Sequence, residues 1–140
     1  PEINFTIMQG INNLNYMFSE LTNVNLKGFV TEKELLVIMQ NSDVSLCVMK
    51  DTIGSNVITT SMACGLAMVV SDVGSIRDYC NEENSIFCIK KEEFVRALNL
   101  LRLKSDKCNI MKEKSRAIAL NFSLEKFLNV FQEEIKKNKL

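Results

Sequence analysis

Apolar and polar positions alternate along Ile3-Asn-Phe-Thr-Ile-Met8, the signature of a strand, and Gln9-Gly10 supplies a turn to end it. Leu14, Met17, Phe18 and Leu21 then recur at helical spacing until Thr22-Asn23 stops the pattern. A second strand is predicted over residues 24–28. Thr31 with Glu34 forms a capping box, and the helix it opens carries the stripe Leu35, Ile38 and Met39. Asn41-Ser42-Asp43 breaks that helix and hands over to a third strand at residues 44–49. Beyond it, Ser55-Asn56 opens a helix ending at Gly65, residues 67–71 read as a strand, residues 75–80 as a short helix and residues 85–89 as a fifth strand.

Past residue 90 the β signal disappears. Phe94, Ala97, Leu98 and Leu101 define one helix, and residues 106–120 another. A third stripe of Leu124, Phe127, Leu128, Phe131 and Ile135 follows Asn121-Phe-Ser123, with Ser123 as its cap. Lys136-Lys137-Asn138-Lys139 suits a helix C-terminus, where cations oppose the dipole. The order of elements predicts an α/β fold: a Rossmann-like, mostly parallel sheet of about five strands with helices on both faces and further helices at the C-terminal end. A single domain over residues 1–140 is expected, with 123–140 as its terminal helix.

The stretch from Asp51 to Ser75 carries the chemistry. A helix beginning at Ser55 or Asn56 leaves its first N–H groups without intrahelical partners, and such an end favours an anion, phosphate above all. Parallel sheets bind ligands beyond the carboxyl ends of their strands, where this turn would lie. A plain capping role for Ser55 is the structural alternative.

Lys+Arg and Asp+Glu both number 17 among 140 residues, so no global basic field favours nucleic acid. Histidine is absent, which removes histidine triads and His-ligated metals. Cys47, Cys64, Cys80, Cys88 and Cys108 form an odd set without a CxxC pair and read as reduced packing residues of a cytoplasmic protein. No apolar run approaches the ~20 residues of a membrane span. A chain that starts at Pro1 and enters a strand almost at once is expected to be part of a longer polypeptide. Asp43, Asp51, Asp72 and Asp78 are scattered singly, and Asp43 and Asp72 read as turn or cap residues.

Asn23-Val-Asn-Leu-Lys-Gly-Phe-Val30, Glu34-Leu35, Asn41-Ser-Asp-Val44 and the run from Ser55 through Met62-Ala-Cys-Gly-Leu66 to Gly74 stand in an order that resembles the donor-binding half of the GT-B retaining glycosyltransferases of family 4, the group 1 enzymes. The resemblance runs from about Phe5 to the last helix. It implies that backbone amides at Gly54, Ser55, Asn56 and Val57 hold a donor diphosphate, and that the turn at Gly28, Phe29 and Val30 lies against the nucleotide base. It further implies a UDP- or GDP-linked sugar as donor, no cofactor and no required metal. The implied partners are the N-terminal domain of the same full-length protein and a glycan or lipid-linked acceptor, without nucleic acid. The full-length enzyme would be cytoplasmic, with peripheral association at the inner membrane face left open.

Members of that family carry two glutamates about two helical turns apart. Here Thr52, beside Asp51, stands at the first position and Thr60 at the second. Loss of a carboxylate that accepts two ribose hydroxyls removes a charge-assisted hydrogen bond of ~1.5–3 kcal/mol, or roughly 10- to 150-fold in affinity. No catalytic residue is assigned within these 140 residues. The resemblance implies transfer of a sugar, with retention, in surface polysaccharide or glycolipid synthesis, and an isolated fragment without activity. The threonines leave two alternatives: a non-catalytic scaffold subunit, and a sugar-nucleotide epimerase of the same fold.

Overall fold

The computed structural model describes residues 3–10 and 12–138. The chain divides into two compact units, residues 1–38 and 39–140.

In the first unit, strand β1 (Phe5–Met8) pairs in parallel with β2 (Val24–Lys27), Phe5 opposite Val24. The helix predicted between them is cut to one turn, α1 (Asn15–Phe18). Side chains bond the amides at its start. Gln9 Oε1 accepts the Leu14 N–H at 2.9 Å and Asn13 Oδ1 accepts the Asn15 N–H at 3.0 Å. Helix α2 (Glu32–Gln40) opens as predicted: Glu34 accepts from both the N–H and hydroxyl of Thr31, and Thr31 Oγ1 accepts the Glu34 N–H. Those bonds hold the Glu34 carboxyl below its usual range, the Thr31 N–H first among the causes.

In the second unit, β3 (Val44–Cys47), β4 (Ala67–Ser71) and β5 (Ser85–Cys88) form a parallel sheet in that order. Helix α3 (Asn56–Ala63) connects β3 to β4, and α4 (Lys91–Leu103), α5 (Ser105–Ala119) and α6 (Leu124–Lys137) follow β5. The segment predicted as a short helix after β4 is a 3₁₀ turn, Ile76–Asp78. All five predicted strands are present and parallel, in ladders of two and three. The α/β class and the flanking of parallel strands by helices are those expected from the order of elements in the sequence.

Strand β4 is buried along its whole length because it is central, and successive side chains feed two cores. Ala67 and Val69 pack with Phe94, Leu101 and Met111, whereas Met68 and Val70 pack with Ile58, Met62 and Ile76. Gly65, at φ +75°, ends α3: its N–H and that of Leu66 return to the Met62 and Ser61 carbonyls. Arg116 from α5 donates to the Ala63 carbonyl at the same helix end. Buried Asn84 holds the turn before β5, accepting from Asn81 N–H and Ser85 Oγ and donating to Ser115 Oγ.

The α6 stripe does form one helix face, capped by Ser123 Oγ accepting the Lys126 N–H at 3.2 Å. Leu124, Phe127, Leu128, Phe131 and Ile135 are nonetheless all exposed. Of the terminal lysines, Lys136 and Lys137 lie in the last turn and Lys139 falls outside the described residues.

Candidate functional site

The loop between β3 and α3 leaves the carboxyl end of the second-unit sheet, and side chains from the loop after β4 fix it. Met49 N–H donates to Ser71 Oγ at 2.9 Å, which ties the start of the loop to the end of β4. The Thr52 carbonyl accepts both the Ser75 N–H (2.8 Å) and the Ser75 hydroxyl (3.1 Å). Gly74, at φ +53°, lies flat against the same residues: a Cβ there would overlap the Thr52 carbonyl oxygen and stand 2.5 Å from Asp51 Oδ1. Asp51 Oδ1 in turn accepts the Thr52 N–H at 2.8 Å. The Tyr79 hydroxyl closes the other flank, 3.0 Å from where a Cβ on Gly54 would lie, with its ring against Phe122.

Upon this platform α3 begins. Ser55 has extended backbone angles at the N-cap position, yet its hydroxyl makes no capping bond. Its carbonyl accepts the N–H groups of Ile58 and Thr59. The Asn56 and Val57 N–H groups, which no carbonyl of the helix can reach, have no acceptor among the described residues. Both residues are exposed. Two amides and one hydroxyl therefore stay unbonded at the positive end of a helix, a donor set matched to an anionic oxygen.

The structure thus gathers Asp51, Thr52, Gly54, Ser55, Asn56 and Val57 in one loop, with Thr60 exposed on the second turn of α3. Thr52 is 9% exposed, and its backbone serves the loop. Gly28, Phe29 and Val30 belong to the first unit, in the segment between β2 and α2. Phe29 is 82% exposed and belongs to no core, and a Cβ on Gly28 would meet nothing within 4 Å.

Sequence reasoning missed Ser71, Gly74, Ser75 and Tyr79 as the residues that hold the loop. Gly74 could have been found, because a glycine in the turn between a strand and a short helix often marks left-handed backbone or close approach. Nothing in the local pattern announces Ser71 or Tyr79.

Asp72, read as a turn residue, accepts a two-pronged ion pair from Arg77, with Nε and Nη2 each at 2.9 Å from a carboxylate oxygen. Arg77 also donates to Glu82 at 2.8 Å and lies 4.0 Å over the Phe87 ring. The guanidinium holds both carboxyls below their usual range, and they raise its own proton affinity. Asp43 likewise pairs with Lys112 at 2.8 Å. A groove of about 600 Å³ runs along β5 and α4 past Asp72, Arg77 and Phe87, and it includes no residue of the Gly54–Thr60 loop. Among the described residues no three His, Cys, Asp or Glu side chains gather as a metal site.

Parallel strands flanked by helices, with an open helix start beyond the carboxyl end of β3, define a Rossmann-like α/β fold. The chain belongs to the family described as glycosyl transferases group 1, whose model matches residues 6–103. No curated protein matches the sequence. Among solved structures the chain is similar to sucrose-phosphate synthase from Thermosynechococcus elongatus, with a TM-score of 0.73 and 17% identity over 89% of this chain and 32% of that one. It thus spans about a third of the synthase's length. It is also similar to the catalytic domain of cholesterol-alpha-glucosyltransferase from Helicobacter pylori, with a TM-score of 0.61 and 13% identity over 86% of this chain and 99% of that one. Among the described residues no helix is long and apolar enough to cross a membrane.

Proposed function

We propose that this chain is the nucleotide-sugar-binding part of a retaining, family 4 glycosyltransferase. The whole protein would move a sugar from a UDP- or GDP-linked donor to a glycan or lipid-linked acceptor, in surface polysaccharide or glycolipid synthesis. The observation that carries the reading is the unbonded set of Asn56 N–H, Val57 N–H and Ser55 hydroxyl, on a loop laced to β4 by Ser71, Ser75 and Gly74.

Glycosyl transfer leaves a diphosphate behind as an oxocarbenium-like centre develops on the sugar. Donors already aimed at the diphosphate oxygens stabilise that charge without reorganising, and the bonds from Ser75 to the Thr52 carbonyl keep them in place. Asp51 would face the donor sugar from the start of the loop, and Thr60 would offer one hydroxyl to the ribose. Gly28, Phe29 and Val30 would meet the base. No metal or cofactor is assigned.

Calorimetry on the full-length protein should detect UDP, GDP or one of their sugars at or below millimolar concentration, and no binding of any of them would end the donor reading. Thr60→Glu restores a carboxylate that can accept two hydroxyls, and it should tighten donor binding by roughly tenfold or more.

The state of Thr52 favours a second reading. Where the family carries a carboxylate, this residue is buried and its backbone is engaged in the loop, as a non-catalytic scaffold subunit would tolerate. A scaffold would show no response of donor affinity or turnover to Thr60→Glu when assayed with its partners.

A further inference from the structure

Tyr79 reaches the loop before α3 from the segment that follows β4. Its ring packs on the core that holds Ile58, Met62 and Ile76, and meets Phe122 at a centroid distance of 5.6 Å. The polar end of the ring is the part that approaches residue 54: the hydroxyl stands 3.0 Å from where a Cβ on Gly54 would lie, and the ring carbon that bears it 3.9 Å.

That hydroxyl has no work inside the protein. Tyrosine hydroxyls drawn into a fold usually find a partner, yet among the described residues this one neither donates nor accepts a hydrogen bond. No side-chain nitrogen or oxygen among the described residues is both buried and unbonded, so the Tyr79 oxygen is open to solvent. Gly54 keeps it open on the loop side. Gly54 does not have positive φ, so its backbone angles do not call for glycine. The requirement that the structure does show is room, because a Cβ at residue 54 would press against the Tyr79 oxygen and cover it. Gly54 leads directly into Ser55, Asn56 and Val57, with their unbonded hydroxyl and amides. Arg77, on the same segment as Tyr79, is already taken up by Asp72 and Glu82. The hydroxyl of Tyr79 is thus the group this segment has left to offer an anion.

We propose that Tyr79 is a further ligand-binding residue of this site: through the gap left by Gly54, its hydroxyl donates to a phosphate oxygen of the donor diphosphate, beside the Ser55 hydroxyl and the Asn56 and Val57 amides. The inference rests on the nucleotide-sugar reading of the same loop. A neutral O–H bonds an ionised oxygen more strongly than a neutral one, which gives an otherwise idle hydroxyl its value there.

Calorimetry on the full-length protein, with UDP and GDP as probes, tests the contact. Tyr79→Phe keeps the ring on Phe122 and removes only an oxygen that bonds no protein group. Its urea midpoint should match the wild type, while affinity for whichever nucleotide the wild type binds should fall roughly tenfold. Gly54→Ala closes the gap, so it should weaken the same nucleotide by a similar factor alone and cost little more when added to Tyr79→Phe. In protein labelled with meta-fluorotyrosine, the fluorine resonance that Tyr79→Phe deletes should shift when the nucleotide is added. Unchanged affinity in Tyr79→Phe, beside a wild type that binds, would overturn the proposal and leave the donor reading standing. A wild type that binds neither nucleotide would overturn both. Weaker binding with an unmoved Tyr79 resonance would make the loss a packing effect and overturn the contact as well.

Discussion

Ser55 and Ser123 occupy the same position at the starts of two helices and do different work. Ser123 accepts the Lys126 N–H, while Ser55 leaves its hydroxyl and the next two amides open. Ser123→Ala should therefore cost ~0.5–2 kcal/mol in urea denaturation, and Ser55→Ala should leave stability nearly unchanged. If Ser55 serves a diphosphate, its loss should appear instead as weaker donor binding by calorimetry. Gly74 is the other residue whose identity the geometry dictates. A methyl group there would overlap the Thr52 carbonyl, on backbone at positive φ. Gly74→Ala should destabilise by about 1–3 kcal/mol in the same denaturation assay and weaken ligand binding, because the displaced residues belong to the loop. The helix start at Ser55 was legible from local chemistry, since Ser-Asn before a helical run is a start signal. The emptiness of its cap was not, because which acceptor an N–H finds depends on residues folded against it.

At the scale of elements, apolar periodicity placed every strand within two residues and every long helix near its observed bounds. It overran at the first helix. The stripe of Leu14, Met17, Phe18 and Leu21 would support about two turns, but only one forms, with Gln9 and Asn13 bonding the amides at its start. The 3₁₀ turn after β4 has a different anchor, the Asp72–Arg77–Glu82 cluster. Arg77 holds the Asp72 carboxyl below its usual range, so the stabilisation is fully present above the ordinary aspartate pKa of about 3.9 and is lost as pH falls through the lower folded value. Urea midpoints measured from pH 6 to pH 2 should thus decline less steeply on the acid side for Asp72→Asn than for the wild type. No spacing rule predicted the cluster, because Phe87 and Glu82 reach Arg77 only through the turn.

For the whole molecule, the cysteines report on the core. Cys47, Cys80, Cys88 and Cys108 are buried, and burial pushes their thiols up, whereas Cys64 is partly exposed. A thiol reagent at pH 8 should modify Cys64 first, and the other four only as fast as the fold opens. Simultaneous modification of all five in the native protein would contradict this packing.

The sequence by itself determined the α/β class, the order of elements, the capping at Thr31 and Ser123, and the place where an anion-ready helix would start. These are local properties, written in apolar spacing and in residues whose side chains bond to their own backbone. The ordered blocks from Asn23 to Gly74 also carried the family resemblance. Only the tertiary structure decided that Ser71, Gly74, Ser75 and Tyr79 hold the Gly54–Val57 loop, that Thr52 is buried and that the α6 stripe is exposed. Each of these depends on which segments meet after the chain has turned back on itself, and contacts between residues about 20 or more apart leave no period in the sequence.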